Sequence, residues 1–414
     1  YNFYTSEKRM KVGTDMKRTR MFASVSAVII AVSALLTSCA QATFDGDLRV
    51  RYDYNLKEYL KPGKYSGLEV YIGDTNVSTE EIDNSVKRNR VFGCDWIDIT
   101  DRPCKDGDII GIAYQGYLAG DGDKKDRMIS AISKGFANGE PMDELEGSQK
   151  VLSVVVGSDD LFPGFDDQVT GQFSVGERKT LTYTLPDPCW QYPAYAGETI
   201  ELDVICTYIQ EIIYPEDGSV MGYDSEESYR ASAASTLQRT RNEQIESYVN
   251  TRVWIQIHDN FKVKKYPEKE LEEAKNSILA GVEESARKAE QTLEEYVKEK
   301  YYQTVDEFNA AVQKQAEEKV KDEMIVYYIA RQEKMAITDS VYSEKALEIA
   351  QDEGYGDLDM YIAYRAYSLG YLTTDEEVTD EIRQKAVDNL KETILRNMVD
   401  DFVYENTVQA TTKK

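Results

Sequence analysis

A single histidine, His258, stands in a chain of 414 residues, with no cysteine or second histidine beside it. Zinc and its neighbours need three or four nitrogen, sulfur or carboxylate ligands at motif spacing, and a catalytic triad needs an imidazole set against a hydroxyl or thiol. Neither pattern is present, so His258 reads as a structural or surface residue and no metal site is assigned. The acid pairs Asp159-Asp160 and Asp166-Asp167 raise glycoside cleavage or calcium binding. The EF-hand spacing is missing, however, and acids around turns are accounted for by capping and solvation. Cys94, Cys104, Cys189 and Cys206 include no CxxC pair suited to thiol exchange. Two bridges, Cys94 with Cys104 and Cys189 with Cys206, or four buried thiols, both remain open. No cofactor is implied. The chemistry left to this chain is non-covalent and belongs to its apolar and aromatic side chains.

Those side chains are carried on two kinds of element. Leu68, Val70 and Ile72 alternate as a strand, and Ser78 with Glu81 three residues on predicts a helix over 79–91. From Gly107 to Ile212 the runs DIIGIAYQGYL, KVLSVVVG, ERKTLTYTLP and ETIELDVICTYI are short, β-type and separated by Gly and Pro, with one helical turn near LFPGFDDQV. They predict an α+β unit, a compact antiparallel sheet wrapped on a short helix. After Pro215-Glu216-Asp217-Gly218 the texture is helical to the end. Asp224 with Glu227 marks the first helix start, and Ile245, Val249, Val253 and Ile257 recur every fourth residue. Tyr266-Pro267 breaks the chain before a second helix near Glu268. A third follows from Thr304 with Phe308, Val312, Ala316, Val320, Met324 and Tyr328 as one stripe, and a last runs from Thr379 to Tyr404.

Acidic side chains number 75 against 49 basic, a net charge of −26 that repels phosphate backbones and excludes nucleic acid as a partner. At this length two or three domains are expected. The first residues are the exception in charge: a basic stretch ending at Arg20 precedes the apolar run MFASVSAVIIAVSALL, the layout of a secretory signal and shorter than the roughly 20 residues that span a bilayer. Met16 is the neatest start residue within it. The run ends in Leu36-Thr37-Ser38-Cys39, which resembles the lipobox of bacterial lipoproteins. That resemblance implies acylation of Cys39 and an extracytoplasmic protein lipid-anchored to the bacterial cell membrane. The polar, Tyr-rich residues 40–67 read as its tether.

The stretch from IAYQG, beginning at Ile112, through VVVGSDDLFPGFDDQVTGQFSVGERKTLTYTLP to GETIELDVICTYI, ending at Ile209, resembles the FKBP family in order, spacing and residue type. The resemblance implies a peptidyl-prolyl cis-trans isomerase whose apolar pocket grips a proline. Tyr114 matches the pocket tyrosine of the first long strand. Leu161, Phe162 and Phe165 match the aliphatic pair and floor aromatic around the Gly164-Phe165 turn, and Leu152 and Leu202 match the walls. Met142-Asp143 falls where the family has Phe-Asp, and Trp190, Tyr192 or Tyr195 stands for the aromatic of the last pocket loop. Tyr114, Asp143, Phe162 and Phe165 are thus the implied catalytic residues; Met142, Leu152, Leu161, Trp190, Tyr195 and Leu202 are the implied substrate-binding ones. One extra residue between Phe165 and Gly176, and Met142 in place of Phe, depart from the family and leave room for a degenerate pocket.

A helical half behind such a domain resembles trigger factor, and LEVYIGDTNVSTEEID and YPEKELEEAK resemble segments before its isomerase domain and at the start of an arm. The family's ribosome-binding signature is absent, so ribosome docking is not implied. Tyr361, Tyr364, Tyr367 and Tyr371 either line a client surface or pack helix on helix. The expected division is a lipoprotein signal over 1–38, a tether and strand-helix linker over 39–103, an isomerase domain over 104–213 and a helical chaperone domain over 214–414. The expected activity is isomerisation and chaperoning of unfolded, proline-containing exported polypeptides; the alternative is a holdase or scaffold lipoprotein with an inactive pocket.

Overall fold

The computed structural model describes residues 51–414 apart from 123, 135–150, 160, 162–163, 215–221, 302, 373–377 and 414. The first described elements are a short strand, Leu60–Lys61 (β1), then Glu69–Tyr71 (β2) and a helix, Thr79–Arg90 (α1). Ser78 caps that helix as the sequence requires. Its hydroxyl accepts the Glu81 N–H at 3.2 Å while the Glu81 carboxylate accepts the Ser78 N–H at 2.8 Å.

An antiparallel sheet follows, built of Asp95–Asp98 (β3), Ile109–Leu118 (β4), Met128–Lys134 (β5), Leu152–Val155 (β6), Arg178–Thr184 (β7) and Thr199–Ile213 (β8). β4 and β8 pair along their length at its centre. β6 and β5 share the outer edge of β4; β7 and β3 share that of β8. Central position explains the sequence of β4, apolar on both faces and almost wholly buried, whereas β8 alternates, burying Ile200, Leu202, Val204 and Cys206. At the β4 bulge after Gln115 only glycine fits, because a Cβ on Gly116 would stand 2.3 Å from the Ile132 carbonyl oxygen. A five-residue helix, Phe165–Val169 (α2), packs on one face, where the Phe165 ring stacks on Tyr183 at 6.2 Å. All four described cysteines are free thiols, the second of the two readings left open by the sequence.

The C-terminal half consists of Glu226–Asn260 (α3), a short strand Lys262–Val263 (β9), Glu268–Lys288 (α4), Leu293–Tyr301 (α5), Val305–Gln332 (α6), Asp339–Asp352 (α7), Leu358–Ser368 (α8), Asp380–Glu405 (α9) and a final strand, Val408–Ala410 (β10). The stripes expected on α3 and α6 are buried in full. Three expectations are corrected. The α3 start is capped one residue later than Asp224 and Glu227 suggest, by a reciprocal pair of Ser225 with Ser228, whose hydroxyls reach each other's backbone N–H. The chain between Glu268 and Thr304 makes two helices, because it turns at Glu290 in the left-handed conformation, with Gln291 N–H bonded to the Ala286 carbonyl. Residues 51–66, read as tether, are packed: Tyr52, Leu56 and Leu60 are buried, β1 pairs with β9, and Arg331 donates to the Tyr52 and Tyr54 carbonyls.

The two halves are joined at several places. α3 lies beside α1, with Arg230 on Asp83 at 2.6 Å and Tyr229 on Ser85 at 2.8 Å. The C-terminal strand β10 runs parallel to β2, which buries Leu68, Val70 and Ile72. Lys413 then reaches Asp187 in the β7–β8 loop at 2.7 Å.

Candidate functional site

Register decides which side chains share a sheet face. Tyr114 lies opposite Val204, Leu152 opposite Ile112, and Leu202 opposite Leu181, while Ile112 lies opposite Cys206. Since Leu202, Val204 and Cys206 alternate along β8, Tyr114, Leu152 and Leu202 stand on one face together with Leu181 and Tyr183. α2 covers this same face. Gly164 turns into that helix at φ +82°, a conformation that leaves room for no other residue type without strain, and Phe165 follows at once. The Tyr183 hydroxyl donates to the Phe165 carbonyl at 3.3 Å. Tyr183 was not among the residues singled out from the sequence, although its alternation with Leu181 in RKTLTYT marks it as inward-facing.

Depth separates the group into floor and rim. Phe165 and Leu202 have no exposed surface, and Tyr114 and Leu161 retain 5% and 6%. Leu152, Trp190, Tyr192 and Tyr195 are half-buried. Of the three loop aromatics, Trp190 is committed elsewhere: its indole N–H donates to the Ile72 carbonyl at 3.2 Å and the Arg241 guanidinium lies 4.1 Å over its ring. Tyr192 instead lies close enough to act electrostatically on Tyr114. Burial raises the Tyr114 phenol well above its ordinary range, and the neighbouring Tyr192 phenol adds to the rise. The expected pocket members Met142, Asp143 and Phe162, like the acylation candidate Cys39, lie outside the described residues.

The corner is held by Asp166, whose carboxylate accepts the Asp159 N–H at 2.7 Å. Burial lifts its carboxyl above the usual range; backbone N–H groups at Asp159, Gly157 and Ser158 pull the other way. Asp166 therefore acts as a peg between α2 and the loop after β6. Asp159 itself accepts the Gly164 N–H at 3.3 Å, so Asp159 and Asp166 serve as caps around this turn. His258 faces Asp322 at 3.0 Å in the helical half, far along the chain from this corner. The tyrosine series on α8 and just beyond it divides: Tyr361 is buried, whereas Tyr364, Tyr367 and Tyr371 are 44%, 50% and 38% exposed.

Residues 227–392 match the family model described as the bacterial trigger factor protein (TF) C-terminus. Over 362 residues the chain is 23% identical to the trigger factor of Caldicellulosiruptor bescii, covering 85% of this chain and 73% of that one. The trigger factor of Carboxydothermus hydrogenoformans is 25% identical over 363 residues with the same coverage. A solved structure of the trigger factor chaperone aligns over 83% of this chain at 14% identity with a TM-score of 0.30, too loose a superposition to bear on the fold.

Proposed function

We propose that this protein is a folding chaperone with a peptidyl-prolyl isomerase site, in which the sheet half grips an X-Pro segment while the helical half holds the unfolded chain around it. The observation that carries the reading is the convergence of Tyr114, Leu152, Leu202 and Phe165 on one covered face of an antiparallel sheet whose chain continues into the trigger factor-like helices. Similarity to trigger factors over 85% of the chain supports the chaperone half.

Rotation about a peptide bond costs roughly 18–20 kcal/mol because resonance is given up. A twisted amide is less polar than a planar one, so a dry aromatic site favours it relative to water. The nearly buried Tyr114 and the half-buried Tyr192 are the phenols assigned to donate to the carbonyl or prolyl nitrogen as conjugation is lost. The reaction calls on no nucleophile and no proton transfer. The clients are unfolded, proline-containing polypeptides outside the cytoplasm, and an acylated Cys39 holds the protein at the membrane. Substituting Cys39→Ala and following the protein into the soluble fraction tests the anchor.

Exchange NMR on a short Ala-Pro peptide tests the site. Wild type should speed cis–trans exchange; Tyr114→Phe, which keeps the ring and removes the hydroxyl, should slow it by about tenfold, the worth of one net hydrogen bond. The complete enclosure of Phe165 and Leu202 favours a second reading, in which the face is core alone and the protein is a holdase. No exchange enhancement together with suppressed aggregation of a denatured client would establish that reading. Failure of both measurements would remove the folding function altogether.

A further inference from the structure

β3 forms one border of the sheet: it pairs with residues 210–213 at the end of β8, and no other described strand lies beyond it. Register fixes which of its backbone groups are engaged there. The Ile99 N–H donates to the Ile209 carbonyl at 2.9 Å, and in an antiparallel ladder bonded and unbonded pairs alternate. Asp95 and Ile97 therefore bond inward, to Ile213 and Glu211, while the N–H and C=O of Trp96 and Asp98 point away from β8.

Open edges are commonly guarded by short length or by charge. β3 has both, four residues with an acid at each end, yet between the acids stand Trp96 and Ile97, 58% and 54% exposed. Successive side chains point to opposite faces, so each face of the border carries one of them. Phe92 just before the strand, Ile213 opposite Asp95 and the adjoining Tyr214 add exposed apolar surface. Apolar surface beside outward N–H and C=O groups is the arrangement that receives an added strand.

Charge decides what the added strand is. Asp98 accepts from the neutral Gln210 side chain at 3.0 Å. The bases on either side in sequence, Arg90 and Arg102, are committed to Glu226 and to Asp108 and Glu211, which leaves Asp95 and Asp98 without an ion-pair partner among the described residues. A second copy pairing in full register would set Asp95 against Asp98 at both ends, like charge against like. A strand reading basic, apolar, apolar, basic instead meets both acids with opposite charge and lays apolar side chains beside Trp96 and Ile97, in either chain direction. We infer that the outer edge of β3 is a docking site for an extended polypeptide segment of that pattern, held as an added strand. The edge lies at the end of β8 away from Leu202, and the inference stands independently of the isomerase reading.

Amide NMR of the full chain tests it, with the peptide Thr-Lys-Val-Val-Lys-Thr as the probe. Binding should shift the Trp96 and Asp98 amides and slow their hydrogen exchange, leaving exchange at Ile97, already bonded inward, unchanged. The same peptide with glutamate for both lysines, and a version N-methylated at both valines, should produce neither effect. Asp98→Asn should weaken binding about two- to fivefold, the worth of one cross-strand charge pair. Asp98→Pro also removes an outward N–H and none that reaches β8, and should weaken it about fivefold further. The two altered peptides leave the protein untouched, so the test survives a variant that misfolds. No shift at β3, equal binding of the glutamate or N-methylated peptide, or equal binding by Asp98→Asn and a folded Asp98→Pro overturns the inference. Dimerisation in sedimentation that Asp98→Pro abolishes would assign the edge to a second copy and overturn it as well.

Discussion

Phe165 has no exposed surface and its ring stacks on Tyr183, so its truncation leaves a cavity that neighbours on a hydrogen-bonded sheet cannot fill. Phe165→Ala should therefore cost about 3–5 kcal/mol, read as a lower urea midpoint at unchanged slope. Loss of activity in that variant would say little about catalysis, which is why Tyr114→Phe is the more telling change. Cys206 offers a second residue-scale expectation. Burial, with Cys104 beside it, pushes its thiol up to about 12. A folded pKa above the unfolded one means the contribution to stability is whole below the ordinary thiol range of about 8.5 and is lost as pH climbs toward 12. Denaturation midpoints measured from pH 8 to 11 should fall more steeply in wild type than in Cys206→Val, and native Cys206 should resist alkylation at pH 8. The residue types around the corner were legible in sequence. The choice among Trp190, Tyr192 and Tyr195 was not legible, because the conformation of the loop between Pro186 and Gly197 sets where each ring goes and leaves Trp190 bonded to the Ile72 carbonyl.

Helix ends show how unevenly elements are written in sequence. Ser78 and Thr379 were readable as N-caps and Thr304 as a helix start, and in each the hydroxyl accepts the N–H three residues on. C-terminal ends were harder. α7 and α8 close at Gly354 and Gly370, but α4 and α6 close at Glu290 and Lys334, which hold φ of +56° and +55° in the same type of motif. No glycine announces those stops, so the break before α5 went unseen. A side chain in the left-handed region carries a cost that glycine avoids. Glu290→Gly and Lys334→Gly should each raise stability by about 0.5–1 kcal/mol in chemical denaturation, and no gain in either would mean the turns are held by other contacts. Thr304→Ala should lose about 1 kcal/mol by the same measurement.

At the scale of the whole molecule the chain closes on itself, since β2 near the beginning of the described residues pairs with β10 near the end. Val408 N–H donates to the Leu68 carbonyl and Ile72 N–H to the Ala410 carbonyl, each at 2.8 Å. Removing residues 408–414 takes away these bonds and the Lys413–Asp187 pair. Stability should fall by about 2–3 kcal/mol at roughly 1 kcal/mol per net hydrogen bond, and amide exchange at Val70 and Ile72 should accelerate first. Unchanged protection there would mean that β2 is held by α3 alone.

Composition, alternation and stripes of period four determined by themselves that an antiparallel sheet with a short helix precedes a helical half, because burial of one face is a local periodic demand that each segment states on its own. Asp159 and Asp166 were readable as capping acids for the same reason, their partners lying within a few residues. Only the tertiary structure decided that residues 51–66 pack into the helical core and that β2 finds β10. Those outcomes depend on loop conformation and on the pairing of segments hundreds of residues apart, for which spacing in sequence carries no signal.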